Sequence, residues 1–275
     1  MERPTRESAE EVEEKQVLDE PTRELKERWE EEQLALQQKL ITEDDFDWSL
    51  DEKEGAAPLR LVGGVDISFI KDDEVNACAS LVVLSFPELK VLYQDFEMVE
   101  LRLPYIAGFL AFREVPHLLP LFERLRQQKP ELMPQVVFVD GNGVLHPRGF
   151  GLACHLGVLT GLPMVGIGKT FLFVDGMKLS DVRKRVKDQC QRGGQWVELV
   201  GASGKVWGAA LRSTDDTTSP VFVSVGHRLS LSTALRATVA CCKFRVPEPV
   251  RQADLLSRDY LRQHPLPASS SSSSS

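Results

Sequence analysis

Acidic residues interrupt three apolar segments of this chain, and they limit the folds that it can adopt. Asp66 lies among valine, isoleucine and phenylalanine, Glu114 follows Gly-Phe-Leu-Ala-Phe-Arg, and Asp140 ends Val-Val-Phe-Val-Asp. A carboxylate buried in such surroundings is unstable unless a positive charge neutralises it. Three of them brought together in space therefore predict a divalent cation site. Because no His or Cys residues cluster with them, oxygen ligands favour Mg²⁺, or Mn²⁺ in its place, over zinc.

The apolar segments predict an α/β fold. Leu61–Ile70, Val75–Phe86 and Leu89–Val99 are rich in β-forming residues and are joined by short polar turns, which is typical of an antiparallel meander. The later segments predict helix Val115–Lys129 with Pro116 in its first turn, strand Val136–Asp140, helix Gly149–Thr160, strands Met164–Ile167, Val206–Leu211 and Pro220–Val225, and helices Leu231–Cys242 and Val250–Gln263. Three antiparallel strands followed by a parallel β-α-β unit form a mixed sheet flanked by helices, the order of the ribonuclease H-like fold.

The composition of the two ends predicts where the folded domain lies. Residues 1–22 are acidic with few large apolar side chains, so we expect a disordered leader. From Glu24 to Ile41, leucines and a tryptophan recur at helical spacing and predict an amphipathic helix. Seven serines close the chain, and residues 264–275 are expected to form a flexible tail. The prediction is a single domain over residues 23–263.

Charge is distributed unevenly along the chain. Residues 1–55 hold 20 acidic and 8 basic side chains, a net charge of −12, which leaves +4 for residues 56–275 of a chain whose total is −8. Because so weak a positive charge will not hold nucleic acid through phosphate contacts alone, a nucleic-acid partner requires a specific cleft. The five cysteines show no paired spacing, and neither a signal-peptide core nor a membrane-spanning apolar run is visible. We therefore expect reduced thiols in a protein of the cytoplasm or nucleus that is not secreted.

The positions of the acids indicate that they converge. Asp140 ends a strand of the parallel type, where open α/β sheets bind ligands. If the helical pattern extends back to Gly108, Glu114 is the one polar residue on a leucine-rich stripe, and Asp254 lies in the last predicted helix. Two divalent ions about 4 Å apart would stabilise both the attacking and the leaving oxygen of a phosphoryl displacement. The alternative is that each acid pairs with a nearby arginine, such as Arg113, or caps a helix.

Three sequence blocks resemble the signature motifs of endonuclease V in its animal form. They are Leu61-Val-Gly-Gly-Val-Asp-Ile-Ser-Phe69, Pro104-Tyr-Ile-Ala-Gly-Phe-Leu-Ala-Phe-Arg-Glu-Val-Pro116 and Val139-Asp-Gly-Asn-Gly-Val-Leu-His-Pro-Arg-Gly-Phe-Gly-Leu-Ala-Cys-His-Leu-Gly157. The similarity covers about Glu24 to Arg262. It implies a ribonuclease H-like, Mg²⁺- or Mn²⁺-dependent endonuclease that cuts inosine-containing single-stranded RNA and, more weakly, deoxyinosine-containing DNA. The implied cut is at the second phosphodiester bond 3′ of the inosine, leaving 3′-hydroxyl and 5′-phosphate ends. We expect a monomer, present in the cytoplasm, nucleus and nucleolus.

The resemblance also implies roles for individual residues. Asp66, Glu114 and Asp140 would be metal ligands, and the catalytic residues would be these three together with Lys169, His227 and Asp254. Lys169 would balance negative charge that develops at the scissile phosphate, and His227 would transfer a proton or contact a metal-bound water. The nucleic acid would contact a wedge formed by Pro104, Tyr105 and Ile106, and a glycine-rich loop that contains Gly141, Gly143, His146, Arg148 and Gly151.

The wedge and the loop suit recognition of a base. Tyr105 on a turn that begins with proline can stack on a base beside a flipped hypoxanthine, or it can simply pack between strand and helix. Ala107 stands where bacterial members commonly carry a second proline, which agrees with a single-stranded substrate. The loop glycines let backbone groups approach a base, although tight turns would explain them equally well. A basic cluster at Arg183–Lys187 is either a solvated helix face or a phosphate contact.

Other functions remain open on the sequence. Metal ligands do not encode base choice, so a ribonuclease H-like nuclease of another specificity is the first alternative. A non-catalytic inosine-RNA binding protein is the second, although every matched acid is present as an acid. Nucleotide hydrolysis is disfavoured, because Gly168-Lys-Thr170 resembles the end of a phosphate loop but Pro163 occupies the position where that motif requires glycine.

Overall fold

The structure is a computed structural model that describes residues 19–51 and 56–265. Within these ranges the strands are β1 (Trp48–Ser49), β2 (Ala57–Pro58), β3 (Leu61–Phe69), β4 (Asn76–Ser85), β5 (Val91–Glu100), β6 (Val136–Asp140), β7 (Met164–Gly168), β8 (Gln195–Val200), β9 (Val206–Arg212) and β10 (Val221–His227). The helices are α1 (Glu20–Gln37), α2 (Leu110–Gln128), α3 (Leu152–Thr160), α4 (Leu179–Gln189), α5 (Leu231–Ala240) and α6 (Glu248–Gln263), with a 3₁₀ turn at Pro130–Leu132. None of these helices is both long and apolar enough to cross a bilayer.

Eight of the strands form one mixed sheet in the order β5-β4-β3-β6-β7-β10-β9-β8. Strands β3, β4 and β5 are antiparallel, and β6 runs parallel to both β3 and β7. Beyond β7, the strands β10, β9 and β8 are again antiparallel. The predicted α/β class is confirmed, because three antiparallel strands lead into a parallel β-α-β unit that helices flank. Strands β3, β6 and β7 end at the same side of the sheet, called the carboxyl edge below.

Helices cover both faces of the sheet and bring the last helix close to β3. Helices α2 and α3 pack on one face against residues such as Val65, while α5 and α6 pack on the other against residues such as Val62. A Cβ added to Gly64 would lie only 2.0 Å from the carbonyl oxygen of Pro249, so glycine here lets α6 approach the strand closely. This contact carries Asp254 of α6 toward Asp66 of β3.

Helix α1 begins earlier than the sequence predicted. The Asp19 side chain accepts a hydrogen bond from the Thr22 amide at 3.1 Å and caps the first turn, which also contains Pro21. Residues 20–22, predicted to belong to the disordered leader, are therefore helical, and the helix ends at Gln37 rather than Ile41. The rest of the predicted leader and all of the predicted tail beyond residue 265 lie outside the described residues.

Helix α2 also begins earlier than predicted, and it contains two prolines. It starts at Leu110, so Pro116 and Pro120 lie inside it rather than at its beginning. A proline in a helix interior removes a backbone hydrogen bond and costs about 3 kcal/mol. The buried side chains of α2, among them Leu118 and Leu121, pack against the sheet and offset that cost. The predicted start at Val115 was wrong because tertiary packing outweighs the local preference.

Strands β1, β2 and β8 were not identified from the sequence, and helix α4 was anticipated only as a possible helix face at Arg183–Lys187. Strands β1 and β2 have two residues each, too few to form a pattern. Helix α4 buries only Val182 and Val186 among its 11 residues. Strand β8 lies at the end of the sheet and exposes alternate residues, among them Trp196 and Val200.

Candidate active site

Asp66 and Asp140 lie side by side at the carboxyl edge. Strands β3 and β6 are parallel, and Val65 pairs with Val139, so the residues that follow these two are also neighbours. Asp254 reaches the same place from α6, which packs across the sheet next to β3. One carboxylate oxygen of each aspartate lies within 4.8 Å of the corresponding oxygens of the other two. The structure thus brings together three of the acids that the sequence singled out.

The carboxylate of Asp66 is buried and held by hydroxyl groups. Ser68 Oγ donates to Asp66 Oδ2 at 2.7 Å, and Ser257 Oγ lies 2.8 Å from Ser68 Oγ and 3.4 Å from the same carboxylate oxygen. Burial, followed by the hydrogen bond and charge of Asp140, raises the pKa of Asp66, while Ser68 and Lys169 lower it in part. Negative charge at Asp66 is therefore disfavoured until a cation joins the site.

Lys169 follows β7 and lies between two of the aspartates. Its Nζ is 2.6 Å from Asp140 Oδ2 and 3.7 Å from Asp254 Oδ1. Burial lowers the pKa of Lys169, but the charges of Asp140, Asp66 and Asp254 outweigh burial and raise it above its ordinary value. On α6, Arg258 Nε lies 2.9 Å from Asp254 Oδ1. The site therefore combines fixed positive charge with its carboxylates.

Glu114 is close to the aspartates but outside their tight group. It lies in the second turn of α2 and is only 9% exposed. Burial, followed by the charges of Asp66 and Asp140, raises the pKa of Glu114 to about 8, while Arg113 acts in the opposite direction. The predicted ligands were Asp66, Glu114 and Asp140, whereas the mutually close oxygens belong to Asp66, Asp140 and Asp254.

This donor set fits a hard divalent cation. The group consists of carboxylate oxygens alone, which are the ligands that Mg²⁺ and Mn²⁺ prefer. Burial and the neighbouring carboxylates raise the pKa values of Asp66 and Glu114, and a bound cation would offset both effects. Asp66, Asp140 and Asp254 can hold such an ion, with Glu114 next to them.

The predicted wedge divides into an exposed tip and a buried anchor. Pro104 and Tyr105 are exposed, the latter at 56%. Ile106 is only 4% exposed and packs with Trp29 and neighbouring phenylalanines of α2. The expectation that Ile106 contacts nucleic acid is therefore wrong, because the anchor of the loop must be apolar and buried. Tyr105 also lines a cavity of about 790 Å³ with residues that follow β3.

The glycines of the glycine-rich loop are explained by close packing inside the protein. A Cβ at Gly143 would lie 1.9 Å from the carbonyl oxygen of Val225, and one at Gly151 would lie 2.4 Å from that of Asn142. Gly141 faces the Leu152 side chain, 3.0 Å from an added Cβ. This packing accounts for glycine at the three positions, and the contact of their backbone groups with a base stays a prediction.

His146 and Arg148 link the glycine-rich loop to the beginning of α2. An added Cβ at Gly108 would lie 3.4 Å from Arg148 Cδ and 3.9 Å from His146 Cε1. The Arg148 amide donates to His146 Nδ1 at 3.2 Å, and burial, followed by the charge of Arg148, lowers the pKa of His146 to about 4. The Arg148 guanidinium turns toward α1, where it contacts Gln33 and Glu30. Arg148 therefore holds α1 in place, in contrast to the predicted contact with nucleic acid.

His227 lies away from the carboxylates. Because β10 runs antiparallel to β7, His227 pairs with Met164 at the start of β7, whereas Asp140 pairs with Ile167 near its end. Its Nδ1 accepts a hydrogen bond from the Ile41 amide at 3.3 Å. Burial, followed by the charge of Arg228, lowers the pKa of His227. The prediction that His227 is catalytic is wrong, since the direction of its strand puts it at the opposite edge of the sheet.

Several residues that support the site were missed in the sequence. Ser68 lies two residues after Asp66 and therefore shares its face of the strand, a spacing that could have indicated the contact. Ser257 lies three residues after Asp254 on α6, again on the same face. Gln33 is buried and donates through Nε2 to the carbonyl oxygens of Gly108 and Phe150, both at 3.2 Å. No local signal identifies Gln33, because its partners are distant in sequence.

Carboxylates grouped beside a lysine at the carboxyl edge of a mixed sheet define the class of hydrolases that cut phosphodiester bonds with the help of a metal ion. A family model described as Endonuclease V matches residues 37–255 of the chain. The chain belongs to the endonuclease V family and is an endonuclease. The resemblance of the three sequence blocks to this family is thereby confirmed.

Individual relatives agree with this assignment. Mouse Endonuclease V is 56% identical over 232 residues, which cover 84% of this chain and 68% of the mouse protein. The crystal structure of human ENDOV has a TM-score of 0.81 at 53% identity and covers 86% of this chain and 98% of the human one. An endonuclease V from Ciona intestinalis was crystallised with a 23mer DNA containing an inosine followed by a ribo-adenosine. It has a TM-score of 0.80 at 35% identity, and the match covers 90% of this chain and 99% of the Ciona chain.

Proposed function

We propose that this protein is a Mg²⁺-dependent endonuclease that cuts inosine-containing single-stranded RNA and, more weakly, deoxyinosine-containing DNA. The proposed cut is at the second phosphodiester bond 3′ of the inosine, leaving 3′-hydroxyl and 5′-phosphate ends. The observation that carries the proposal is the group of Asp66, Asp140 and Asp254, whose oxygens lie within 4.8 Å of one another beside Lys169. The Ciona relative, bound to an inosine followed by a ribonucleotide, supports both the base and the tolerance of ribose.

The residues at the carboxyl edge suit phosphodiester cleavage. Asp66, Asp140 and Asp254 would hold the metal ion, which when bound supplies charge stabilisation for the transferring phosphate and activates the attacking water. Lys169 is held at the same edge by Asp140, and its ammonium can balance negative charge that develops on the phosphate oxygens. Glu114, next to the aspartates, adds a carboxyl group whose charge state responds to the cation.

The base would be recognised between the wedge and the glycine-rich loop. Gly108, at the end of the wedge, approaches His146 and the stem of Arg148. Tyr105 is exposed at the wedge tip, where its ring can stack on a neighbouring base. Hypoxanthine presents a 6-oxo acceptor and an N1–H donor, which backbone groups of the two loops can read.

Cleavage of matched oligonucleotides tests the proposal. Three strands of the same sequence carry inosine in RNA, deoxyinosine in DNA, or adenosine in RNA, and each is incubated with Mg²⁺, Mn²⁺ or EDTA. Mapping of the product ends should show a single cut at the second bond 3′ of inosine, fastest in RNA and absent in EDTA. Asp66→Asn should abolish cleavage, and Asp259→Asn, a half-exposed aspartate on α6, should retain it.

The other interpretations predict different outcomes. Cleavage of the adenosine strand at the same rate would indicate a nuclease of another specificity. Tight binding of the inosine strand without cleavage, at enzyme excess and with either metal, would indicate a non-catalytic inosine-RNA binding protein.

We also propose that the protein acts as a monomer in the cytoplasm and nucleus, including the nucleolus. The five cysteines are free thiols in the described structure, which agrees with a reducing compartment. Light scattering of the purified protein and fluorescence microscopy of a tagged chain test the two statements. A dimer mass or a signal in the secretory pathway would contradict them.

A further inference from the structure

A pocket of about 420 Å³ lies between α4 and the loop that precedes β10. It is lined by Arg183, Val186, Lys187, Cys190, Arg212, Thr218, Ser219 and Pro220. Three of these lining residues are basic, and none of them is acidic. These three positive charges lie together in a part of the chain, residues 56–275, whose net charge is only +4.

Two of the cations have no partner within the described part of the protein. Arg183 and Lys187 are exposed and lie four residues apart on α4, so their side chains are neighbours on one face of the helix. The described residues offer neither of them an ion pair or a side-chain hydrogen bond. Like charges at this spacing repel each other, and an anion from outside the protein would relieve that repulsion.

The other walls of the pocket are fixed and partly apolar. The Arg212 guanidinium donates to the carbonyl oxygens of Cys190 at 2.9 Å, Asp215 at 2.8 Å and Thr217 at 3.1 Å, which holds the loop before β10 against the end of α4. Val186 and Pro220 also line the pocket but are largely buried, so the exposed Arg183 and Lys187 offer its binding groups. The anion that the substrate of an endonuclease offers to such a site is a backbone phosphate.

A single arginine connects this pocket to the cleavage site. Arg245 donates through Nη2 to the carbonyl oxygens of Lys169 at 2.7 Å and Pro220 at 3.0 Å, and through Nε to that of Ser219 at 3.1 Å. Lys169 in turn reaches Asp140 in the metal-binding group. The wall of the pocket at Ser219 and Pro220 is therefore held next to Lys169 of the cleavage site.

We propose that this pocket binds the single-stranded segment of the substrate that flanks the cleaved bond, with a phosphate on Arg183 and Lys187. The inference rests on the proposed function, since the occupant is the same nucleic-acid strand that is cut. It extends the binding surface beyond the wedge and the glycine-rich loop, to a side of the active site that the base-recognition residues do not reach.

A series of inosine-containing RNAs, trimmed nucleotide by nucleotide from the 5′ or the 3′ end, tests this inference with the full-length protein. For the wild type, KM should rise by about tenfold when trimming on one side removes the nucleotide that occupies the pocket. R183E/K187E should have the raised KM even with the longest RNA, and its KM should no longer depend on RNA length on the side that reaches the pocket. Its kcat should equal that of the wild type. The slope of log KM against log salt concentration should fall by about 0.7 for the loss of one phosphate contact on a single strand.

Lys184→Glu is the matched control, because Lys184 is an exposed lysine on the same helix that does not line the pocket. It should keep the KM, the length dependence and the salt dependence of the wild type. R183Q/K187Q, which removes charge without reversing it, should give a smaller change in the same direction. Thermal unfolding of all variants checks that they are folded.

Binding measured by fluorescence anisotropy in EDTA separates this inference from the proposed function. If the wild type binds the RNAs in EDTA but does not cut them when Mg²⁺ or Mn²⁺ is supplied, the proposed function fails. The length dependence of binding in EDTA still decides whether the pocket is used. If R183E/K187E binds the whole series with wild-type affinity and wild-type salt dependence, the pocket does not hold the strand and the inference is overturned.

Discussion

Lys169 Nζ lies 2.6 Å from Asp140 Oδ2, so the first positive charge at the carboxyl edge is supplied by the protein itself. The same ammonium is 3.7 Å from Asp254 Oδ1. Burial, followed by the hydrogen bond and charge of Asp140, raises the pKa of Asp66 even though this lysine acts in the opposite direction. A metal ion would complete the charge balance, and the lysine would remain available for the phosphate.

Removal of this lysine charge should slow the chemical step. Lys169→Ala is expected to lower the single-turnover rate constant of cleavage by about 10²–10³-fold, the effect of losing one group that stabilises developing negative charge. Lys178→Ala, an exposed lysine that precedes α4, serves as the control and should cleave normally. A wild-type rate constant for Lys169→Ala at saturating Mg²⁺ would show that the lysine only pairs with Asp140.

The serine hydroxyls next to Asp66 should set the affinity for the metal. Ser68 Oγ orients the Asp66 carboxylate through the hydrogen bond at 2.7 Å. Loss of such a supporting contact typically weakens metal binding by about 10–100-fold, so Ser68→Ala should require that much more Mg²⁺ for half-maximal cleavage. Calorimetric titration with Mn²⁺ provides a readout that does not depend on activity. Ser232→Ala on the exposed side of α5 should behave as the wild type, and equal Mn²⁺ affinity in both variants would contradict the prediction.

The stability of the metal-free protein should fall as pH rises. Glu114 has an ordinary pKa of 4.5 in the unfolded chain, and burial raises its pKa to about 8 in the folded protein. Between these values the folded state binds more protons than the unfolded state, so the free energy of unfolding decreases with pH, by up to about 1.4 kcal/mol per pH unit from this group. Denaturant unfolding in EDTA between about pH 5 and pH 8 measures the slope.

Two comparisons test the assignment of this slope to Glu114. Glu114→Gln should reduce the slope, while Glu123→Gln, an exposed glutamate on the same helix, should leave it unchanged. Saturating Mg²⁺ should also flatten it, because a cation favours the deprotonated carboxylates. Parallel slopes for Glu114→Gln and the wild type would rule out Glu114 as the source.

The buried amide of Gln33 should position both nucleic-acid loops. Gln33→Ala would leave the carbonyl oxygens of Gly108 and Phe150 without this donor, at a cost of about 1–3 kcal/mol in the free energy of unfolding. Because these carbonyls belong to the wedge end and the glycine-rich loop, KM for inosine RNA should rise while kcat changes little. Glu32→Ala, exposed on the same helix, is the control. Destabilisation without any change in KM would indicate a purely structural contact.

His227 should matter for stability and not for chemistry. His227→Ala removes the acceptor of the Ile41 amide, and loss of one such hydrogen bond costs about 0.5–1.5 kcal/mol in the free energy of unfolding. The cleavage rate constant at saturating Mg²⁺ and its dependence on pH should match the wild type at a temperature where the variant is folded. A loss of rate comparable to that of Lys169→Ala would return His227 to the catalytic residues.

Much of the fold could be predicted because the responsible signals are local. Segments such as Val136–Asp140 are apolar throughout, and this composition alone indicates a strand buried on both faces. The acids interrupting β3 and β6 were equally visible, since a carboxylate in an apolar run is unusual wherever it falls. Elements with weak apolar patterns, α4 and β8, could not be recognised in this way.

What the sequence determined by itself was most strands of the large sheet, their acids and the family resemblance carried by contiguous motifs. Only the tertiary structure decided which side chains meet. Antiparallel pairing of β10 carried His227 away from the site, and the close approach of α6 at Gly64 brought Asp254 into the group that Glu114 was expected to complete. The physical reason is that the direction of a strand and the approach of a helix depend on packing between residues far apart in the chain, which no local pattern encodes.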